Sequence, residues 1–337
     1  MYFEFSEDQR LFQETVRDLL ANECGHEALA AAWSTEAGSV AGLWEKLGEL
    51  GVLGLTTPEA HGGLGLGLVD LVLLLEECGR VACPEPVTDT VAVAAPLLAE
   101  LGGALADEWL PRIAAGAARV AVGLEGNPFV ANAAAADLLL LQRGDELHAV
   151  APKDAKLALQ ASVDGARRAY RVEWEPSAAT RIAGGAAGRA LAARAFDRGA
   201  VGSAAELLGL GRELVDLTVE YAKGRVQFDQ PIGAFQAVKH HLANAHTKLE
   251  FARPPVYYSA WSLQEGADDA PLQASTAKAL AGDAAHLCFR TALQCHGAIA
   301  YTYEYHAHMW MKRVLVLERQ YGDAAWHRTR AAAALLG

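Results

Sequence analysis

Apolar positions recur three and four residues apart through the first third of the chain, which is the spacing of one face of an α-helix. The stretch from Ser6 to Gln9 has the S-x-x-Q pattern of a capping box, and it predicts a helix over residues 6–23. Further apolar runs predict helices at 43–50, 69–78 and 91–101. The chain is therefore predicted to be helical through about residue 115.

The pattern changes at Arg119, where short apolar runs alternate with turn residues. These runs predict strands, and they lie at 120–124, 137–141, 147–151 and 170–174. Residues 182–195 are rich in Ala and Gly, and their pattern fits either a linker or the start of a helix. Beyond them the pattern is helical again, with helices predicted at 199–223, 233–266, 272–295 and 322–336.

This order predicts a mainly α fold with a small β-domain. We expect a helical N-terminal domain over residues 1–117, a reduced β-domain over 118–190 and a C-terminal helical bundle over 191–337.

The composition of the chain disfavours several classes of function. The 337 residues are 52% hydrophobic, and the formal charge is 29 − 41 = −12, which disfavours binding to nucleic acid or to an anionic membrane surface. No apolar run reaches the ~18 residues of a membrane span. The five cysteines form no C-x-x-C pair and indicate a reducing compartment, so we expect a cytoplasmic protein. His240, His241 and His246 lack acidic or thiol companions at ligand spacing, and no metal site is predicted.

The segment from Arg225 to Gln236 interrupts two predicted helices. It combines a fixed cation, amides and an aromatic ring, which suit a nucleotide: the arginine for a diphosphate, and Phe228 and Gln227 for a base or ribose. Taken alone, the segment is more typical of an ordinary interhelix loop with an arginine salt bridge. A second interruption, Gln294 to Tyr305, contains small residues that allow a ligand to approach the backbone.

Together the two segments resemble the acyl-CoA dehydrogenase family, whose patterns R-x-Q-F-G-x-P-I-x-x-F-Q and Q-x-x-G-G-x-G-Y-T-x-E-Y they match nearly throughout. The likeness extends to residues 58–65 and 79–81. It implies the three-domain fold, FAD as cofactor and oxidation of an acyl-CoA thioester at its α,β-bond. It also implies that FAD is shared across a subunit interface, with the ADP half held by these two loops. The matching positions are Arg225, Gln227, Phe228, Ile232, Gln236, Gln294, Gly297 and Ala298.

The family's catalytic base is a carboxylate at one of two places, and counting in register places Tyr321 at one and Gly199 at the other. A phenol with an unperturbed pKa near ~10 is a poor base at neutral pH. Asp197 is a weak candidate for a substitute base, because a side chain two residues before Gly199 would lie on a different face of a helix. The alternative role of Asp197 is to cap a helix end.

The β-region is also short, and the family's flavin-binding loop and Trp-Ile-Thr flavin wall have no counterpart. The chain thus resembles the short, degenerate subunit of heteromeric acyl-CoA dehydrogenases of steroid side-chain breakdown. This resemblance implies a non-catalytic chain in a heterotetramer with a catalytic partner, acting on an acyl-CoA such as a steroid-CoA ester. Two alternatives stay open: a self-sufficient homodimer that uses Asp197 or another acid as its base, and a scaffold that no longer binds FAD.

Overall fold

The N-terminal region is helical, and the computed structural model describes residues 4–337. Its α-helices are α1 (Glu7–Glu23), α2 (His26–Trp33), α3 (Leu43–Glu49), α4 (Leu68–Arg80), α5 (Ala95–Leu101) and α6 (Gly103–Ala114). A π-helical segment, Thr88–Ala94, leads into α5. The predicted capping box is confirmed: the Ser6 hydroxyl accepts from the Gln9 N–H at 3.2 Å, and the Gln9 side chain accepts from the Ser6 N–H at 2.8 Å.

The β-region contains two small sheets. Its strands are β1 (Val120–Gly123), β2 (Val130–Ala131), β3 (Leu138–Arg143), β4 (Glu146–Val150), β5 (Lys156–Gln160), β6 (Ala169–Glu173) and β7 (Arg181–Ala183). One sheet has the order β1-β3-β4-β7, with β1 parallel to β3 and the other pairs antiparallel. The other sheet has the antiparallel order β2-β6-β5.

Strand β3 is buried on both faces, which explains why its sequence is a continuous apolar run. Leu138 and Leu140 pack into the main hydrophobic core, whereas Leu139 and Leu141 pack into a second, smaller cluster within the β-region. Because successive side chains of a strand point to opposite faces, a strand buried on both faces needs apolar residues at every position.

The C-terminal bundle is built from long helices. They are α7 (Gly185–Gly224), α8 (Gln236–Gln264), α9 (Ala270–His296), α10 (Ala307–Leu317) and α11 (Ala324–Leu336). A hairpin of β8 (Val226–Gln227) and β9 (Gln230–Pro231) joins α7 to α8. The prediction that the first of these helices starts at residue 199 was wrong, because the Ala- and Gly-rich segment supplies strand β7 and the first turns of α7. Helices α2, α6 and α10 were not predicted.

Helix α4 crosses α7 at backbone contact distance. A Cβ atom on Gly79 would lie 2.1 Å from the Glu206 carbonyl oxygen, and one on Gly209 would lie 1.9 Å from the Glu76 carbonyl oxygen. Only glycine fits at such positions. This crossing joins the N-terminal region to the bundle and fixes the part of α7 that carries Gly199 and Glu206.

Candidate cofactor loops and the position of the base

The hairpin between α7 and α8 ends in a two-residue turn, Phe228-Asp229. Gln227 pairs with Gln230, and the φ angles of Phe228 and Asp229 are +53° and +59°, as in a type I′ turn. Asp229 stands where the family pattern has glycine, the residue that adopts this conformation without a steric penalty. The turn is therefore kept in its shape despite an unfavourable residue at its tip.

The side chains predicted to hold the ADP half of FAD point outward from the chain. Phe228 is 86% exposed, and Arg225 makes no ion pair with any residue in the range 4–337. The exposed members of the set are Arg225, Gln227, Phe228, Gln236, Gln294, Gly297 and Ala298, and Ile232 is half-buried. The group offers a guanidinium, amides and an aromatic face with free hydrogen-bonding capacity, which fits a nucleotide diphosphate.

The second loop begins where α9 ends. Gly297 has a φ angle of +69°, and a Cβ atom there would meet no heavy atom within 4 Å. The backbone is thus open on this side, next to the exposed side chain of Gln294. A ligand could approach the main chain closely here.

The structure brings the two loops to the same end of the bundle. Tyr221, one turn before Arg225, stacks on His296 with ring centroids 4.3 Å apart, and its hydroxyl donates to the His296 carbonyl at 3.5 Å. His296 Nε2 lies 3.0 Å from the Tyr305 hydroxyl. Tyr221 was not singled out from the sequence, because no motif spacing distinguishes it from other bundle residues.

Counting in register assigned Gly199 and Tyr321 to the two places of the family's catalytic base, and these two residues lie side by side. A Cβ atom on Gly199 would lie 2.3 Å from Cε1 of the Tyr321 ring. Tyr321 is fully buried, and its φ angle is +55°. The phenol ring therefore occupies the space beside Gly199, and neither position offers a carboxylate.

The Tyr321 hydroxyl is committed to a buried carboxyl group. It donates to Asp89 Oδ1 at 2.5 Å, and Asp89 is 2% exposed. Burial and the neighbouring Asp89 carboxyl raise the pKa of Tyr321 well above its usual value. A phenol whose deprotonation is disfavoured in this way cannot act as a base at neutral pH.

A polar network surrounds this pair. Arg167 Nη2 donates to Gln320 Oε1 at 2.6 Å and lies 3.6 Å from Asp89 Oδ2. Gln320 in turn donates to Asp89 Oδ1 at 3.3 Å. Burial raises the pKa of Asp89, against the opposing effects of Arg167 and the Tyr321 hydrogen bond.

The network continues toward the N-terminal region. The Thr88 hydroxyl donates to Glu206, and Arg313 donates to Asp164 and, at 2.6 Å, to the Cys83 carbonyl. Each of these side chains is at least nine-tenths buried. These side chains form a buried polar cluster around Tyr321, in which Arg167 Nε and Arg313 Nη2 have no hydrogen-bond partner among residues 4–337.

The turn that carries Tyr321 is held by buried donors and acceptors. Lys278 Nζ donates to the carbonyls of Glu318 at 3.0 Å and Gly322 at 2.9 Å. His327 Nε2 donates to the Tyr321 carbonyl at 2.8 Å, and Asn127 accepts from the Tyr321 N–H at 2.6 Å. These contacts explain how a non-glycine residue is kept at positive φ.

Asp197 faces a different partner. Arg330 binds both of its carboxylate oxygens, with Nη2 3.0 Å from Oδ2. Burial raises the pKa of Asp197, and Arg330 opposes that rise. A carboxylate held by a guanidinium is a weakened base.

Among residues 4–337, none of the helices is both long and apolar enough to span a bilayer.

The fold is that of an acyl-CoA dehydrogenase. Residues 6–117 match the family model of the acyl-CoA dehydrogenase N-terminal domain, and residues 186–336 match that of the C-terminal domain. The chain belongs to the acyl-CoA dehydrogenase family, whose cofactor is FAD and whose reactions are oxidoreductions of acyl-CoA thioesters.

The chain is similar to particular members of this family. The chain is 32% identical over 309 residues to the acyl-CoA dehydrogenase IpdE2 of Mycobacterium tuberculosis, covering 91% of each chain. It is 34% identical to IpdE2 of Mycolicibacterium smegmatis, covering 91% of this chain and 92% of that protein. The solved structure of the Tcur3481-Tcur3483 steroid ACAD G363A variant superposes with a TM-score of 0.89 at 26% identity, covering 98% of each chain. The fold is also that of the ChsE4-ChsE5 complex of Mycobacterium tuberculosis, with a TM-score of 0.88 at 24% identity, covering 100% of this chain and 99% of that chain.

Proposed function

We propose that this chain is the non-catalytic subunit of a heteromeric, FAD-dependent acyl-CoA dehydrogenase. The observation that carries the proposal is the pair Tyr321–Gly199. The ring fills the space beside the glycine, and its hydroxyl is tied to a buried carboxyl group. In this chain the place where a base would work is closed to a substrate.

The exposed loops support a role toward a shared cofactor. Arg225 would bind the diphosphate of FAD, Phe228 and Gln227 would contact its nucleoside, and Gln294 with the Gly297 backbone would close the other side. When bound, FAD supplies the two-electron acceptor for the dehydrogenation. The chain itself contributes binding groups and a surface, while the partner subunit contributes the base.

Exposed aromatic side chains support an assembly. Phe251 on α8 is 77% exposed, and Phe228 and Tyr301 beside the two loops are 86% and 76% exposed. Exposed large apolar side chains are typical of a subunit interface. The relatives include a structure of the ChsE4-ChsE5 complex, and we infer an equivalent catalytic partner in a heterotetramer.

The substrate we propose is a bulky acyl-CoA, in particular a steroid-CoA ester. Support comes from the similarity to the steroid ACAD structure at 26% identity. A closed site in one subunit leaves the acyl group to be bound by the partner alone.

The test is co-expression with a catalytic acyl-CoA dehydrogenase chain, followed by measurement of bound FAD from the visible absorbance spectrum. We expect flavin colour in the complex and none in this chain alone. Arg225→Ala should weaken FAD binding by the complex by roughly 1.5–3 kcal/mol, the scale of a hydrogen bond to a charged group. Arg10→Ala, at an exposed arginine of α1, is the matched control and should leave FAD binding unchanged.

The two alternatives predict other results. A self-sufficient homodimer gives a yellow chain that an acyl-CoA bleaches without a partner, and Asp197→Asn should then abolish the bleaching. A scaffold that does not bind FAD gives a complex whose FAD affinity is the same with Arg225→Ala as with the native chain.

A further inference from the structure

A cavity of about 170 Å³ lies where helix α5, helix α7, the start of α4 and the end of α8 meet. Neither Tyr321 nor Asp89 lines it, so it is separate from the closed base position. Its polar wall residues are Thr56, Arg198 and Gln264, and its apolar walls are formed by Leu66, Leu68, Ala92, Pro96 and Leu263. At ~30 Å³ for each molecule of liquid water, the volume holds about six waters or a ligand of similar size.

The charge beside the cavity is positive. Glu100 on α5 is bound by two arginines of α7: Arg198 Nη2 lies 2.6 Å from its Oε1, and Arg194 Nη2 lies 2.6 Å from its Oε2. Two guanidinium groups and one carboxylate leave a net charge of 2 − 1 = +1. The carboxylate of Asp70 is not a wall residue, and its oxygens cap the start of α4 and bind Gln9. An anion in the cavity is therefore attracted to the arginines.

Arg198 has donors left for a ligand. Glu100 binds Nη2, while Nε and Nη1 have no hydrogen-bond partner among residues 4–337 and are not buried. A guanidinium presents its donors in a fixed fork that matches the two oxygens of a carboxylate. Arg198 directly precedes Gly199, and consecutive residues of an α-helix differ by about 100° in direction. The Arg198 side chain therefore leaves α7 on a different side from the contact between Gly199 and Tyr321.

Gln264 supplies a second donor. Its Oε1 accepts from the Val69 N–H at 3.1 Å, so the NH₂ group of the same amide is the end left for a ligand. A Cβ atom on Gly67 would lie 2.0 Å from Gln264 Oε1, which shows how closely the amide lies on the Gly67 backbone. The Thr56 hydroxyl donates to the Val91 carbonyl at 2.5 Å, and it therefore offers the cavity only an acceptor.

We propose that this cavity binds a short-chain aliphatic monocarboxylate of about the size of butyrate. Its carboxylate accepts from Arg198 and from the Gln264 NH₂ group, and its hydrocarbon chain contacts the apolar walls. A ligand of roughly six heavy atoms matches the volume. The site belongs to this chain alone and needs neither FAD nor a catalytic partner, so it goes beyond the function proposed above.

The test is a titration of the full chain with butyrate at neutral pH, followed by ligand-detected NMR. The comparison ligands are butyramide, which has the same size and no charge, and acetate, which lacks most of the hydrocarbon chain. We expect saturable binding of butyrate and roughly tenfold weaker binding of each comparison ligand. Butyramide loses the charge that Arg198 binds, and acetate buries about two fewer CH₂ groups.

Arg198→Gln should weaken butyrate binding roughly tenfold or more, because it removes the fixed cation and its paired donors. Butyrate and butyramide should then bind alike. Glu100 keeps Arg194 as its partner, so the variant does not leave this carboxylate unpaired. Arg189→Gln, at an exposed arginine of the same helix that does not line the cavity, is the matched control and should bind butyrate like the native chain.

Leu66→Asp tests the cavity independently of the arginine. Leu66 is 41% exposed, so the fold should tolerate an aspartate there, and its carboxylate should repel butyrate and abolish saturable binding. Leu64→Asp, at a leucine that is 44% exposed and does not line the cavity, is the control and should bind butyrate like the native chain.

Equal butyrate binding by the native chain, Arg198→Gln and Leu66→Asp would overturn the proposal. The absence of any saturable binding would overturn it as well, and so would equal affinities of the native chain for butyrate and butyramide.

Discussion

The Tyr321 hydroxyl donates a 2.5 Å hydrogen bond to Asp89, a residue 232 positions away in the sequence. Both side chains are buried, and the bond closes the space beside Gly199. At the position that counting in register assigns to the family's carboxylate, Tyr321 is a hydrogen-bond donor within the core.

Tyr321→Phe should destabilise the fold while leaving the turnover of an assembled complex unchanged. The substitution removes the O–H that donates to Asp89, and we expect a loss of roughly 1.5–3 kcal/mol in the free energy of unfolding, measured by urea denaturation at neutral pH. Tyr303→Phe, at a tyrosine that is 80% exposed, is the control and should have almost no effect. A stable Tyr321→Phe chain whose complex has lost turnover would show that Tyr321 acts on the substrate.

Gly199→Ala should also be destabilising, because its Cβ would lie within 2.6 Å of three atoms of the Tyr321 ring. Overpacking of this kind costs about 1–3 kcal/mol. Gly282→Ala is the matched control: it is a buried glycine of α9 with no heavy atom within 4 Å of the added Cβ, and it should gain up to about 1 kcal/mol from helix propensity. The penalty of Gly199→Ala should shrink in a Tyr321→Ala background, and an unchanged penalty in that double variant would contradict the contact.

Glu85 should make the fold less stable as the pH rises. Burial raises its pKa to about 7 in the folded chain, from an ordinary value of 4.5. Between these values the folded state holds a proton that the unfolded state has released, so the free energy of unfolding falls with rising pH, by up to ~3 kcal/mol. Denaturation over this pH range should show a shallower decline for Glu85→Gln and an unchanged one for the control Glu108→Gln, at an exposed carboxylate on α6. Parallel curves for the native chain and Glu85→Gln would refute the shifted pKa.

Lys278 should make the fold more stable as the pH rises, which is the opposite of the effect of Glu85. Burial lowers its pKa to about 7 from an ordinary value of 10.5, although Glu318 opposes the shift. Between these values the unfolded state holds a proton that the folded state has lost, so the free energy of unfolding rises with pH over this interval.

Lys278→Met should remove that rise. It also leaves the carbonyls of Glu318 and Gly322 unpaired, so the variant should lose roughly 1–3 kcal/mol, and the loss should be larger above pH 7. Lys239→Met, at an exposed lysine of α8, is the control for the loss of a positive charge. A variant as stable as the native chain at alkaline pH would show that the amine does not hold the turn.

Local signals in the sequence were sufficient for much of the fold. The capping box at Ser6 placed the start of α1, and turn residues between apolar runs placed β1, β3, β4 and β6 to within a residue or two. Strand β5 has a weaker alternation and was missed. Helix α7 was predicted to start at residue 199, because its first turns are rich in alanine and glycine and carry few periodic apolar positions.

The sequence by itself determined the family, the mainly helical architecture and the location of the two segments that interrupt the long helices, because each depends on residues close together in the chain. Counting in register also singled out Gly199 and Tyr321. The tertiary structure decided what that pair does. Asp89, Arg167 and Gln320 reach Tyr321 from separate elements, and Lys278 holds its turn from another helix. Pairings over such separations depend on how the helices pack, for which no local pattern of residues is a guide.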